Sequence, residues 1–195
     1  MGLPGRQCIR FVPVVIFMEA LRCNVATLAD WLAVQVWSGR EQVSAGHLRV
    51  RGYEVFLPCY RESRRWSDRI KVVDRALFAG YVFCRVDAEV VERIVTAPGV
   101  IRIVGDGSGP APVAAHEIEA IQRIVEARLP AEPSPVPKAG QRVRIEQGPL
   151  RGVEGIVQLV RDRHRLVVSI SLLHRAVSVE IDVKWISIPR AMYVG

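Results

Sequence analysis

Four prolines fall within the eight residues Pro130-Ala-Glu-Pro-Ser-Pro-Val-Pro137, and no regular helix or sheet ladder is expected through such a stretch. Each proline locks its own φ and lacks an N–H, so the segment favours an extended polyproline conformation of about 3 Å per residue. The chain is thereby divided into two units, each of which needs its own core. We expect a proline-rich linker at 130–137, a domain at 28–129 before it and a smaller domain at 138–190 after it, with residues 1–27 as an N-terminal extension.

The apolar run Phe11–Met18 follows Arg6 and Arg10 and slightly resembles a signal peptide. It is only eight residues long, is interrupted by Pro13 and ended by Glu19, and lacks a clear small-residue cleavage site. It is also too short to span a bilayer. Met18 is an alternative start, which would make residues 1–17 untranslated.

The first domain alternates strand and helix signals. Trp31–Trp37 is a near-continuous apolar run with β-branched and aromatic residues, as in an interior strand. Val43, His47 and Val50 then recur at helical spacing within Arg40–Arg51, and Gly52 is placed as a C-terminal cap. Tyr53–Leu57, Ile70–Val73 and Leu77–Val86 read as three further strands. Asp87 can cap a short helix carrying Val90, Val91, Ile94 and Val95, Val100–Val104 is another strand, and Ile118, Ile121, Ile124, Val125 and Leu129 form an apolar stripe on a helix from about His116. The order βαβββαβα implies an α/β sandwich with helices on a mainly antiparallel sheet.

Beyond the prolines the rhythm changes. Arg142–Ile145, Val153–Val160, Leu166–Leu172, Val177–Ile181 and Trp185–Ile188 are five short strands in about fifty residues, which argues for a small barrel that hides its own edges. Gly148, Gly152 and Gly155 give the backbone freedom at tight bends, with Pro149 fixing the turn. The fold class is therefore α+β, an N-terminal α/β sandwich followed by a five-stranded β-barrel.

Half of the 195 residues are hydrophobic, enough for two compact cores. The formal charge of +7 favours acidic partners such as nucleic acid, although an excess spread along the chain also serves solubility. All but three of the basic residues, Lys71, Lys138 and Lys184, are arginine, whose planar fork suits phosphates and interface pairs. Cys8, Cys23, Cys59 and Cys84 form no CxxC pair and have no histidine at a zinc-finger spacing, so no structural metal is expected; such cysteine usage fits a reducing cytoplasm. Enzyme patterns are missing: there is no GxSxG, HExxH or GxxxxGK[ST] sequence. That leaves at most a pairing of Cys59 or Cys84 with a distant histidine. We expect neither catalysis nor a cofactor.

The order of the motifs resembles one family. Trp31 with its strand to Trp37, Gly39-Arg40-Glu41, Gly52-Tyr-Glu-Val-Phe-Leu-Pro58, Leu77-Phe-Ala-Gly-Tyr-Val-Phe83, Ala97-Pro-Gly-Val100 and the glycine turn at 148–155 are similar to the NusG family of transcription elongation factors. Residues 28–129 match its N-terminal domain and 138–189 its KOW domain, an SH3-like barrel. Ala79 departs from the family, which usually has proline there, and Leu173 stands where an aromatic residue is frequent.

The resemblance implies roles that the residues alone leave open. Phe78, Tyr81 and Phe83 read equally as core, but in the family this strand lines an apolar concave surface that receives the clamp helices of RNA polymerase. On that basis Tyr81 and Phe83 are expected anchors, with Phe78 and Trp37 beside them. Arg61, Arg64, Arg65, Trp66, Arg69, Lys71 and Arg75, six basic residues around one tryptophan, are offset by Glu62, Asp68 and Asp74. They form either a solvated hairpin or one lying against the upstream DNA of the elongation complex, with Trp66 free to stack on an unpaired base. In the KOW domain, Leu172, Leu173 and His174 occupy the hairpin through which the family recruits a small ribosomal protein or the Rho terminator. The expectation is a monomeric, cytoplasmic bacterial antitermination factor, and the departures at Ala79 and Leu173 suggest an operon-specific paralogue. The alternatives are the general housekeeping factor and a ribosome-associated RNA-binding KOW protein.

Overall fold

The computed structural model describes residues 30–65, 70–86, 92–105, 107, 109–138, 140–160 and 163–186. The N-terminal extension, the alternative start at Met18, the cap at Asp87, and Trp66 and Arg69 lie outside the described residues.

Strand β1 (Asp30–Val36) is the axis of the first domain. It pairs antiparallel with β5 (Tyr81–Val86) on one side and with β6 (Val100–Ile103) and the short β7 (Pro112–Val113) on the other, while β2 (Glu54–Phe56) adds to the outer edge of β5. Alternation along β1 and β5 divides the apolar residues between two faces. Leu32, Val34, Val36, Val82, Cys84 and Val86 face helix α1 (Glu41–Val50) and the short α2 (Glu92–Val95), forming one core with Ala45, Leu48 and Ile94. Trp31, Ala33 and Phe83 face the other way, into a core shared with Ile118, Ile121 and Ile124 of helix α3 (Ala115–Glu126). Sandwich and antiparallel sheet are as the sequence implies.

Helix α1 turns a different face inward from the one its valines suggest. Val43 and Val50 are exposed, whereas Glu41, Ser44, Ala45 and Leu48 are buried. Small residues at 44 and 45 let the helix lie close to the sheet, and its first residue is a buried carboxylate with a specific task. Glu41 Oε1 accepts the N–H of Gly39 at 3.1 Å and of Gly80 at 2.8 Å, tying the start of α1 to the turn before β5. That turn, Leu77–Gly80, is why β5 begins only at Tyr81: Gly80 has φ +82° and its carbonyl accepts from Val36 N–H at 2.9 Å.

Strands β3 (Cys59–Arg65) and β4 (Ile70–Ala76) form a two-stranded ribbon that joins neither larger sheet. Its base is closed by Leu77 N–H donating to the Pro58 carbonyl at 2.9 Å.

The second module is a five-stranded antiparallel sheet ordered β8-β12-β11-β10-β9, with β8 (Ala131–Ser134), β9 (Gln141–Arg144), β10 (Glu154–Val160), β11 (Arg163–Ile170) and β12 (Arg175–Glu180). Strand β8 lies inside the expected linker. It pairs Ala131 with Val179 through Ser134 with Ala176, so the proline segment is part of the sheet and not a free tether. At the edge of a sheet Pro133 can point its missing donor away from the ladder. Of the expected fifth strand, Trp185–Ile188, the described residues show a 3-10 turn over Val183–Trp185 and one bridge between Ile145 and Ile186; residues 187 and 188 lie outside the described residues. The glycine turn is architectural. Gly148 has φ +78°, and a Cβ there would meet the Trp185 ring 2.7 Å away.

Two measurements follow from these contacts. Glu41→Ala strands two backbone donors, one of them buried, and is expected to cost about 2 kcal/mol in urea unfolding, with Glu41→Gln recovering part of the loss. Burial pushes the Cys84 thiol up to about 12, while Cys59 at the ribbon base is raised less and stays half-exposed. A raised pKa means less thiolate at a given pH, so maleimide at pH 8 should label Cys59 well before Cys84, read by peptide mapping.

Candidate interaction surfaces

On the sheet face opposite α1 an aromatic row crosses three strands. Trp31 meets Phe56 edge-on with centroids 6.2 Å apart, Phe56 lies 6.2 Å from Phe83, and Phe83 meets Phe78 edge-on at 5.5 Å. Phe83 and Phe78 are 0% and 1% exposed. Phe83, expected as an anchor, and Phe78, expected beside it, are thus buried with the second module in place, and the row is packing that supports what lies above it. Tyr81, at the start of β5, is half-buried, and Trp37 is 64% exposed just beyond β1. Phe56, half-buried, joins this surface without having been singled out by the sequence, because a three-residue edge strand carries little periodic signal.

The second module covers this face. The Arg175 guanidinium lies over the Tyr81 ring, 5.2 Å from its centroid. Glu117 of α3 accepts three hydrogen bonds from Ser171: from the N–H at 3.1 and 3.2 Å and from the hydroxyl at 2.6 Å. Arg123 Nη1 donates to the Arg151 carbonyl at 2.6 Å, close enough to Gly152 that a Cβ there would lie 2.8 Å from it. Leu172 and Leu173, in the 3-10 turn Ser171–Leu173 between β11 and β12, are half-buried against the same apolar cluster that holds Phe83 and Ile121. His174 ends this turn in the left-handed region at φ +50° and is exposed.

The two surfaces expected to meet separate partners therefore share one contact between the domains, Tyr81 on one side and Leu172 and Leu173 on the other, with His174 left exposed. None of its polar members, Glu117, Ser171, Arg123 and Arg175, was legible in sequence, since each sits on what reads as a solvated face. The contact has an apolar centre and a modest polar margin. A hydrogen bond to a charged group contributes about 1.5–3 kcal/mol and an exposed cation–π pair about 0.5–1 kcal/mol. A cleft of about 790 Å³ bounded by His116, Glu119, Arg142 and Arg144 stays open beside it.

The ribbon carries charge of both signs. Arg75 Nε lies 2.7 Å from Glu62, and Arg61 Nε lies 3.9 Å from Asp74 across the strands. Both pairs are partly or largely exposed, a setting in which an ion pair contributes little and is easily exchanged for a phosphate. The register sets Arg64 opposite Lys71 and Arg65 opposite Ile70, so the distal half of the ribbon concentrates positive charge.

Comparison with known proteins agrees with this architecture. The family model described as NusG, transcription termination factor nusG, matches residues 29–122. The Transcription termination/antitermination protein NusG of Helicobacter pylori is 29% identical over 169 residues, covering 79% of this chain and 95% of that protein. Its Vibrio parahaemolyticus counterpart is 30% identical over 166 residues, covering 78% and 91%. A solved structure titled Domain interaction in Thermotoga maritima NusG shares the fold at TM-score 0.51 and 22% identity, covering 81% of this chain and 96% of that one. The chain belongs to the NusG family of transcription termination/antitermination proteins.

Proposed function

We propose that this NusG-family protein binds RNA polymerase through the sheet face around Tyr81 and recruits a second partner through Leu172, Leu173 and His174, acting on particular operons as a specialised antiterminator. The family consists of transcription factors and not enzymes. One observation carries the operon-specific reading: Arg175 lies over Tyr81 while Leu172 and Leu173 are half-buried in the same contact, so each surface is partly covered by the other. Partial covering of both surfaces suits a factor that waits for a particular signal. The polymerase clamp helices are the occupant proposed for the Tyr81 face, with Trp37 at its rim and Phe78 and Phe83 beneath as support. Once the module leaves, it would offer its hairpin to a small ribosomal protein or to Rho.

The ribbon is the proposed contact with upstream DNA, through Arg61, Arg64, Arg65, Arg69 and Lys71, together with Trp66. Support comes from the register that clusters the basic positions and from the weakness of the exposed pairs at its base. These partners place the protein in the cytoplasm. Among the described residues, no helix is long and apolar enough to cross a membrane.

Opening should be visible in affinity. Glu117→Ala with Arg175→Glu is expected to raise binding to RNA polymerase by about tenfold, the gain from removing about 1.4 kcal/mol of closure. Tyr81→Ala is expected to lower it by at least tenfold while the circular dichroism spectrum is unchanged, as for an interface anchor. Both are read by fluorescence anisotropy, and unchanged affinity for Tyr81→Ala rules out the assignment. Charge reversal at Arg64 and Arg65 should flatten the salt dependence of binding to forked DNA by about one to two units of slope. Co-purification from native lysate with sequencing of the nascent RNA separates the readings: few operons for the paralogue, a genome-wide signal for a housekeeping factor, ribosomal RNA for a ribosome-associated protein.

A further inference from the structure

Three residues stand in register across the first domain's sheet. Gln35 of β1 pairs with Tyr81 of β5 on one side and with Arg102 of β6 on the other. Directly opposed residues of antiparallel strands share a face, and the alternation through Trp31, Ala33 and Gln35 makes it the face that the second module covers. From Tyr81 to Arg102 the row crosses two strand spacings, about 10 Å.

The two ends of the row differ in charge. At one end the half-buried Tyr81 ring already receives a cation, the Arg175 guanidinium 5.2 Å from its centroid. The face of a tyrosine ring is electron-rich, so an uncharged group put in place of Arg175 loses that attraction and a new cation keeps it. At the other end Arg102 is itself the cation. Its Nε donates to Gln35 Oε1 at 2.8 Å. With one edge of the guanidinium held in this way, the two Nη groups form the end-on fork that takes a carboxylate bidentately. Arg61, Arg75, Arg85 and Arg163 each have an acidic partner, whereas Arg102 has none among the described residues. It is exposed even with the second module in place.

We propose that Gln35 and Arg102 form a carboxylate receptor at the rim of the Tyr81 face, and that the helix bound there carries an acidic residue for Arg102 and a basic residue for Tyr81, two turns apart. The spacing follows from the row. Seven residues of α-helix rise about 10.5 Å, which matches the distance from β5 to β6 for a helix lying across the strands. The basic residue takes the position over the ring that Arg175 holds in the closed form, so the partner replaces the cover with a group of the same charge. The inference rests on the reading of this face as the polymerase-binding surface and names the chemistry of its occupant. It also sets an order of events. Arg102 is open while Tyr81 is covered, so the acid engages first and steers the encounter, and the exchange of cations over Tyr81 follows.

The test uses the full chain and purified RNA polymerase, with association and dissociation followed by biolayer interferometry at low and high salt. Arg102→Glu is expected to slow association about tenfold at low salt, with the difference shrinking at high salt. Arg102→Lys keeps the charge and loses the fork, so it should associate at the normal rate and dissociate faster. Reversal of one acidic residue of the clamp helices to arginine should restore binding to Arg102→Glu. The basic residue seven positions from that acid, changed to alanine, should weaken binding of the unsubstituted chain and leave binding of Tyr81→Leu unchanged. Normal association of Arg102→Glu at low salt, or failure of every reversal to rescue it, overturns the proposal. The polymerase reading survives that result where Tyr81→Ala still loses binding, and falls with the proposal where Tyr81→Ala binds as tightly as the unsubstituted chain.

Discussion

An apolar sheet face must be covered, and the face holding Trp31, Phe56 and Phe83 is wider than one helix can cover. Helix α3 lays Ile118, Ile121 and Ile124 on part of it, and the second module covers more, so a single core cluster runs from Trp31 to Leu166 and Val177. Exposed aromatic area of this kind persists in water only when something functional uses it. Here the cover is a domain of the same chain, joined to α3 by the few residues 127–130 and so present at a high effective concentration. That proximity, more than the strength of any one contact, keeps a handful of polar bonds sufficient.

The polar contacts are arranged to be given up. Glu117, Ser171, Arg123 and Arg175 stand at the margin of the contact, where water can take over each hydrogen bond at little cost. Deeper down, the aromatic row is held by ring-on-ring contacts within the first domain and does not depend on the module. Removing the cover would leave the sheet intact and Tyr81 free, which is what a binding face requires if it is to be ready without refolding.

The elements that could be read in the sequence were those whose period matched their burial. The Ile118–Ile124 stripe, the alternation in β5 and the glycine turn at 148–155 each answer to one local rule, and each stands where expected. Misreadings came where a distant partner overrode the local signal. Val43 and Val50 looked inward by type, but the approach of α1 to the sheet favours Ser44 and Ala45, and Gly80 claims Glu41. Phe83 reads as core from its strand pattern and as an anchor only through the family resemblance, because nothing in a strand pattern says how many layers lie above it. Four prolines predicted a tether, and an edge strand accommodated one of them.

Among the described residues the ribbon of β3 and β4 joins neither large sheet, and it is held only at its base, where Leu77 donates to Pro58, Gln42 Nε2 donates to Cys59 Sγ and Tyr60 packs against the core. It is mechanically an appendage. Insertions, deletions or charge changes beyond Tyr60 leave both cores and the Glu41 clamp undisturbed, so its length and sign can drift without the protein losing its fold. Two proteins sharing every buried residue of this chain could thus differ in the charge they present to a partner, with the whole difference carried by the far part of a hairpin that folding does not monitor.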